Sequence, residues 1–471
     1  MKEVVTRDIP EDWEWRKLGT VVTKIIGGGT PSKAKPEYWK GNIPWLTVKD
    51  MRSRRPADAM DHISEKAVEE SSTNIIPEDT VIIATRIGLG KVIRVPYKAA
   101  INQDLKALVV PPEIDKGYLE YWFVSKTHYL ESIGSGTTVK GIRLEQVRDL
   151  DFPLAPPEQQ KRIVAKIEEL FSHIDAGIEA LKKAKQLLKQ YRQSVLKAAV
   201  TGELTKEWRE ANKDKLEPAS QLLERILKQR RKTWEEQQLE KFKAKGKIPK
   251  DDEWKESYSV SRLSEALDLP DEWVTASLDQ LSEYITSGSR GWAKFYADSG
   301  ATFIRAQNLK HDELDLGSIA YVSLPDKAEG MRTRVQFGDL LITITGANVT
   351  KTGYVNIGLD EAYVSQHVAL CRPIITNCVR YLYTYLISKD GARKNLEEAA
   401  YGAGKPGLNL DNLKCLKVAL PSIEEQEEIV RLVEQRFESI QRLENEIVVQ
   451  LKRVEKTKQS IFTAAFNGYW R

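Results

Sequence analysis

The chain has 471 residues, 41% hydrophobic and 30% charged, with a mean hydropathy of −0.45 and a formal net charge of +4. At roughly 100–200 residues per domain, this length predicts about three or four units, with ample material for sizeable cores. No apolar run nears the ~18 residues that cross a bilayer, and Met1–Asp8 lacks the apolar core of a signal peptide, so a cytoplasmic protein held off the membrane is expected.

Residues 1–153 read as a mixed α/β globular unit opened by Pro10-Glu-Asp-Trp13. Runs rich in Val, Ile and Thr, bounded by Gly, Pro, Asn or Asp, predict strands at Ile43–Val48, Thr80–Ala84, Lys91–Val95 and Ala107–Val110. A helix is predicted over Lys116–Glu131. The intervening loops are dense in polar and aromatic residues: Gly27–Lys40, Lys49–Arg55 and Gly134–Gly141.

Residues 154–212 open Leu154-Ala-Pro-Pro-Glu-Gln-Gln160. Pro156 and Pro157 block an earlier helix start, and Glu158 puts a carboxylate in the first turn, where the helix dipole favours it. Apolar positions then recur at Ile163, Ile167, Leu170, Ile174, Ile178, Leu181, Leu188, Tyr191 and Val195. Spacing of three and four predicts a helix with a coiled-coil seam. Some 35–40 residues at ~1.5 Å each make a rod of roughly 50–60 Å. Residues 213–265 form a charged helical linker, with a helical patch at Ala219–Ala244 and a break at Gly246-Lys-Ile-Pro249.

At Pro270-Asp-Glu-Trp273 the layout starts again. Residues 266–419 predict strands at Thr302–Arg305, Asp339–Thr345, Gly353–Ile357 and His367–Arg372. Ser365-Gln366 stands where Asn102-Gln103 stood, and Gly402–Gly407 where Gly134–Gly141 stood. Residues 420–471 are a second copy of the long helix. Leu154 and Leu420, Phe171 and Phe437, Gln193 and Gln459, and Gly202 and Gly468 are each 266 positions apart. An ungapped offset over so long a stretch marks an internal repeat. The second seam runs Ile429, Val433, Phe437, Ile440, Leu443, Ile447, Leu451, Val454 and Ile461. Two different globular units thus share one repeated frame, and the two helices are expected to lie antiparallel with a pseudo-two-fold relation.

Catalytic signatures are missing. Gly402-x-Gly404-x-x-Gly407 fits a dinucleotide pattern only formally, because a helix-like segment precedes it and Pro406 opposes a helix inside it. Neither a phosphate-binding GxxxxGK[ST] nor a GxSxG elbow occurs, and the five histidines make no HExxH. The three cysteines, Cys371, Cys378 and Cys415, make neither a CxxC pair nor an even disulfide set and read as free thiols. The Asn/Asp-Pro-Pro-Tyr/Phe motif of adenine methyltransferases is absent. No metal site and no catalytic residue is assigned.

Recognition remains. Residues 1–153 carry 23 Lys and Arg against 22 Asp and Glu, and residues 270–420 carry 16 against 17. Neither region is basic in bulk, so a DNA-facing side has to be gathered by folding. Arg and Lys suit guanine, Asn and Gln suit adenine, and Ser, Thr and Lys fix phosphates. On that chemistry the DNA-contact candidates in the first unit are Thr30, Lys33, Lys35, Tyr38, Lys49, Arg52, Arg54, Arg55, Arg86 and Gln103. In the second they are Arg290, Trp292, Lys294, Arg305, Gln307, Asn308, Asn348, Lys351, Gln366 and Lys405. A purely structural coiled-coil scaffold and an unrecognised enzyme are the alternatives; the first leaves these loops unexplained and the second finds no motif.

The plan resembles type I restriction-modification specificity (S) subunits. The match rests on Leu154–Gln160 with Ala198–Arg209, on Leu420–Gln426 with Ala464–Gly468, and on Gly29-Thr-Pro31 with Tyr38-Trp39 and Gly41-x-Ile43-Pro44-Trp45. The second copy departs from the first in reading Gly468-Tyr-Trp-Arg471 where the first reads Gly202-Glu-Leu-Thr205. The resemblance implies an α+β (mixed α/β) fold: two target-recognition domains, 1–153 and 266–419, set apart by an antiparallel two-helix coiled coil. It implies a non-catalytic subunit that reads one half of a bipartite site on double-stranded DNA with each domain. Two methyltransferase subunits would dock on the helices and bind S-adenosylmethionine, and motor-nuclease subunits would bring ATP and Mg. The chain itself is expected to bind no cofactor. A system whose methyltransferase and nuclease are fused in one chain is the variant of this reading. At ~3.4 Å per base pair the rod corresponds to about 15 base pairs, so the helices would act as a ruler.

Overall fold

The structure, a computed structural model, describes residues 9–136, 140–249, 251–261, 263, 265–325, 331–402 and 406–470. The chain forms two compact units: residues 1–183 with 446–471, and residues 184–445. Each unit therefore holds one end of each long helix.

In the first unit, Glu14–Lys17 pairs antiparallel with Asp151–Leu154 and ties the two ends of the globular part together. Above this clasp are two four-stranded sheets. One has the order Lys24–Gly27, Leu105–Val109, Val81–Ala84, Val92–Arg94, antiparallel throughout. The other has the order Asp61–Ile63, Ile43–Leu46, Ala99–Ile101, Asn74–Ile76, with the central pair parallel. The strands predicted from Val and Ile runs all form; three are shortened, and the one predicted at Ala107–Val110 runs Leu105–Val109, starting two residues earlier. The predicted helix over Lys116–Glu131 is two pieces, Lys116–Ser125 and Thr127–Ile133, meeting at Lys126.

The second unit repeats this plan. Val274–Ser277 pairs with Lys417–Leu420. One sheet orders Ser282–Ser287, Val368–Pro373, Leu340–Thr343, Thr352–Tyr354; the other orders Tyr296–Ala297, Ala320–Val322, Ala301–Ile304, Ala362–Val364. Again the pairing of Ala301–Ile304 with Ala362–Val364 is parallel. The repeat that the sequence shows in its helices is thus also present in the strand order of the first sheet of each unit; the other sheets differ, since the parallel pair is central in the first unit and lies at one edge in the second, where Tyr296–Ala297 extends the opposite side.

The long helices span Pro157–Val200 and Ile423–Phe466. Pro157 supplies a first-turn residue with no N–H to leave unpaired. The first helix ends at Gly202, φ +79°, and the second is followed by Gly468, φ +74°, both left-handed positions that terminate a helix with little strain only when they are glycine. Within the first unit the helices run antiparallel, since Phe171 meets Phe462 with ring centres 5.2 Å apart and Asp175 meets Lys458 at 3.0 Å. Within the second unit Arg192 lies over Phe437 and 3.8 Å from Glu444. Ile163, Ile167 and Val195, and Ile429, Val433, Ile440, Ile447 and Ile461, are buried; Leu170, Ile174, Ile178, Leu181, Leu188, Phe437, Leu451 and Val454 are half-buried. Tyr191 and Leu443 depart from the seam: both are exposed.

The helices complete the cores they touch. In the first unit Trp13, Tyr118, Trp122 and Phe152 pack with Ile163, Ile167, Phe171, Phe462 and Phe466. In the second Trp273, Tyr381 and Tyr385 pack with Val195, Ala199, Ile429 and Val433. The charged segment after the first helix contains the helix Ala219–Ala244, as its composition predicts. It does more than span a gap, since Leu222 and Ile226 are buried in the second unit's core and Arg230 pairs with Asp279 at 3.0 Å.

Candidate nucleic-acid interface

Four loops of the first unit converge at one end of its two sheets. They follow Lys24–Gly27, Ile43–Leu46, Val81–Ala84 and Ala99–Ile101. Backbone bonds stitch them together: Gly29 N–H to Ile101 O at 3.1 Å, Asn102 N–H to Leu46 O at 3.1 Å, and Thr85 N–H to Asp104 O at 2.8 Å. Gly28 is required here, because a Cβ would sit 1.8 Å from Ile101 O. Between the loops lies a cleft of about 730 Å³ lined by Thr30, Lys33, Lys49 and Gln103 with Trp39, Trp45, Thr47, Val48, Asp61, Ile87, Asn102 and Asp104.

Each reaching side chain has a fixed base. Asp50 is buried and accepts from Thr47 N–H, the Thr47 hydroxyl and Met60 N–H, which locks the 47–50 turn and leaves Lys49 exposed at its tip. Asn102 donates to the Asp104 carboxylate at 3.0 Å and accepts from Asp104 N–H at 3.1 Å. That turn presents Gln103, whose amide oxygen accepts from the Thr30 hydroxyl at 2.6 Å. Lys106 donates to Gln103 O at 2.8 Å beneath it. Arg86 is exposed, with Nε 3.9 Å from Asp104. Trp39 meets Trp45 edge-on, ring centres 5.0 Å apart, and Trp45 donates to Gly29 O, so the aromatic wall is itself anchored.

Other candidates are built into the scaffold. Tyr38 is 2% exposed and donates to Glu70, which Lys35 also approaches at 3.1 Å. The hydrogen bond from Tyr38, then that from Lys35, holds the Glu70 carboxyl below the usual range. Arg55 pairs with Glu120, whose side chain is fully buried, and Arg54 lies over the Tyr121 ring at 4.8 Å. These two arginines bind the 51–56 loop to the helix Lys116–Ser125. Arg52 is exposed on that loop.

The second unit gathers the same loops. Ser365 N–H bonds Ile304 O at 2.8 Å as Asn102 bonds Leu46. A Cβ on Gly288 would sit 2.1 Å from Val364 O, the constraint seen at Gly28. Gly407 bridges Thr345 and Tyr401 as Gly141 bridges Arg86 and Ser135. Gln366 therefore stands at the position of Gln103, exposed, with Nε2 3.2 Å from His367 Nε2. Arg290, Lys294 and Gln307 are exposed too, Lys294 over the Phe295 ring.

Of the remaining candidates of this unit, Trp292 and Asn308 face inward, and Arg305, Asn348 and Lys351 are half-buried and tied to the scaffold. Trp292 is 5% exposed and stacks on Phe303, because the second sheet needs an aromatic plug at that end. Asn308 is 2% exposed; it accepts from Arg305 N–H and donates to Asp315 O and Ser318 O, satisfying the polar groups of a buried turn. Arg305 reaches Ser318 O at 3.2 Å, Asn348 reaches Ala306 O at 3.3 Å, and Lys351 pairs with Asp312 at 3.0 Å. Lys405 lies outside the described residues.

The residues that line the first cleft without having been candidates are Trp39, Trp45, Thr47, Val48, Asp61, Ile87, Asn102 and Asp104. Trp39 and Trp45 had a signal, since both lie in the Tyr38–Trp45 stretch that carries the family resemblance. Ile87 had none, being an apolar residue in the run Ile87-Gly88-Leu89-Gly90.

Among the described residues no helix is long and apolar enough to cross a membrane. A family model described as "Type I restriction modification DNA specificity domain" matches residues 10–189 and 270–453. The chain is 28% identical over 399 residues to the EcoBI specificity subunit of Escherichia coli, covering 84% of this chain and 74% of that one. It is 31% identical over 194 residues to the MjaIX specificity subunit of Methanocaldococcus jannaschii, covering 40% of this chain and 44% of that one. The crystal structure of the HsdS subunit from Thermoanaerobacter tengcongensis superposes with a TM-score of 0.57 at 19% identity, covering 98% of each chain, a likeness of fold. With two matches that together span most of its length, each on one frame of the repeat, the chain belongs to the type I restriction modification DNA specificity family.

Proposed function

We propose that this chain is the DNA-recognition subunit of a type I restriction-modification complex. The observation that carries the reading is that one scaffold presents the same loop cluster twice, with different side chains at matching positions. Gln103 and Gln366 occupy the same turn, while the loop that carries Thr30 and Lys33 after Gly28 in the first unit carries Arg290 and Lys294 after Gly288 in the second. Two unequal readers on one chain suit an asymmetric bipartite site. The exposed Lys and Arg groups fix phosphates, and the Gln amides reach base edges.

On this reading the chain carries no catalytic centre and holds no cofactor. Two methyltransferase subunits dock on the polar faces of the long helices and bring S-adenosylmethionine. Motor-nuclease subunits bring ATP and Mg, and the complex works in the cytoplasm on double-stranded DNA. The paired helices set the gap between half-sites.

Sequencing of methylated DNA from cells carrying this chain and its partners tests the reading. Exchange of residues 1–153 for those of another family member is expected to change one half-site and leave the other intact; a change in both halves rejects modular readout. Removing one heptad from both helices is expected to shorten the gap, and an unchanged gap rejects the ruler.

A further inference from the structure

Ile87 is held in a backbone conformation that isoleucine avoids. Its φ is +49°, where a β-branched side chain crowds its own carbonyl. The loop cannot relax that strain. Thr85 N–H is bonded to Asp104 O, Ile142 N–H to Thr85 O at 2.9 Å, and Lys91 N–H to Gly88 O at 3.2 Å. Thr127 donates its hydroxyl to Gly90 O at 3.1 Å, and Gly88 and Gly90 both have positive φ. The side chain gains no burial in return: it is 53% exposed and lines the cleft with Lys49 and Gln103.

The second unit shows what the loop asks for. Leu408 N–H bonds Ile344 O as Ile142 bonds Thr85, and Thr345 bridges Gly407 as Arg86 bridges Gly141. The next residue in each loop is Ile87 or Gly346, and Gly346 has φ +99°. Where one copy fills a left-handed position with glycine, the other keeps an exposed branched hydrocarbon there. Strain concentrated in an exposed, otherwise rigid loop points to function.

We infer that Ile87 is a specificity determinant of the first unit: an apolar contact for the C5-methyl group of a thymine in the half-site it reads. The methyl is the one apolar mark on a major-groove base edge, and Ile87 lines the cleft together with the apolar Val48, Trp39 and Trp45 and with Lys49 and Gln103, which suit phosphates and hydrogen-bonding edges. The inference rests on the DNA-recognition reading above.

The test uses the chain assembled with its methyltransferase partners and duplexes carrying the mapped site. Deoxyuridine replaces each thymine of the first half-site in turn, removing only the methyl. One such replacement is expected to weaken binding about fourfold, the value of one buried methyl-sized group. Ile87→Gly is expected to melt no lower than wild type, to bind the thymine duplex about as weakly as wild type binds the uracil duplex, and to lose the distinction between them. Ile87→Ala, which keeps the backbone restrained, is expected to lose it too. The inference is overturned by a first half-site without a T·A pair, by variants that still discriminate, or by equal weakening on both duplexes, which would mark a wedge between bases. A complex with no sequence-specific binding at all refutes the DNA-recognition reading instead.

Discussion

Arg209 donates to Glu425 at 2.6 Å in a fully enclosed ion pair at the base of the second unit. Glu425 also accepts from the Thr205 hydroxyl at 2.7 Å and from Trp273 Nε1 at 2.9 Å. The residue 266 positions earlier is Gln159, which accepts from Trp13 at 2.7 Å and donates to Asp12. One frame position thus clamps its tryptophan with an anion in one unit and a neutral amide in the other. Glu425→Ala leaves the Arg209 charge buried and is expected to cost about 3–5 kcal/mol. Glu425→Gln is expected to cost less, because the amide still accepts from Trp273. Urea unfolding that gives the two variants equal losses rejects this account.

Two glycines of the frame are expected to respond with opposite signs. Gly177 lies in the helix interior, and a Cβ there would have nothing within 4 Å, so Gly177→Ala should stabilise by about 0.5–1 kcal/mol. Gly468 has φ +74°, and a Cβ there would sit 2.1 Å from Pro10. Gly468→Ala should destabilise by at least about 1–2 kcal/mol, the left-handed penalty alone. Thermal melts of the two variants decide; the same sign for both contradicts the assignment.

Asp312 predicts an acid limb for the second unit. Burial pushes its carboxyl up, but Arg393, the Thr352 N–H and Lys351 outweigh it and bring the group below its ordinary 3.8. A depressed carboxylate contributes stability that is complete above pH 3.8 and is lost as pH falls through the lower folded value. Asp312→Asn keeps a residue tolerant of φ +62°. It should lower stability at neutral pH and flatten the fall below pH 3.8. Urea midpoints with an unchanged acid slope would exclude Asp312 as its source.

Lys33 and Lys49 are expected to act on phosphates. Replacing either by alanine should weaken binding of the assembled complex on cognate and mismatched first half-sites alike. Each should reduce the salt dependence of log K by about 1. A loss confined to the cognate sequence would reassign that lysine to a base edge.

The long helices were legible because two independent signals coincide, a seam of spacing three and four and a constant offset between copies. The core strands Val81–Ala84 and Leu340–Thr343 were legible as unbroken apolar runs. Asp61–Ile63, Asn74–Ile76 and Ala99–Ile101 were not, since three residues show no alternation and only pairing makes them strands. At the candidate interface the residue chemistry found Lys33, Lys49 and Gln103. It could not tell them from Tyr38, Trp292 and Asn308, which are also polar or aromatic and in loops but face inward. Inward and outward are decided by long-range packing, as when Trp292 stacks on Phe303. Ile87 escaped because its signal is the sign of a backbone angle.

The contact of Gly468 with Pro10, and its counterpart of Gly202 with Pro270, carries a consequence for chain order. Each globular part is closed by the end of a helix that begins beside the other part. The order of the elements is therefore cyclic, and the covalent break in the ring is incidental to the packing. A circularly permuted chain is expected to keep the fold, with residue 470 linked to residue 9 and new ends opened in the exposed turn around Ile248, which is 90% exposed. In such a chain the second unit's reader would precede the first in synthesis while every buried contact stayed the same.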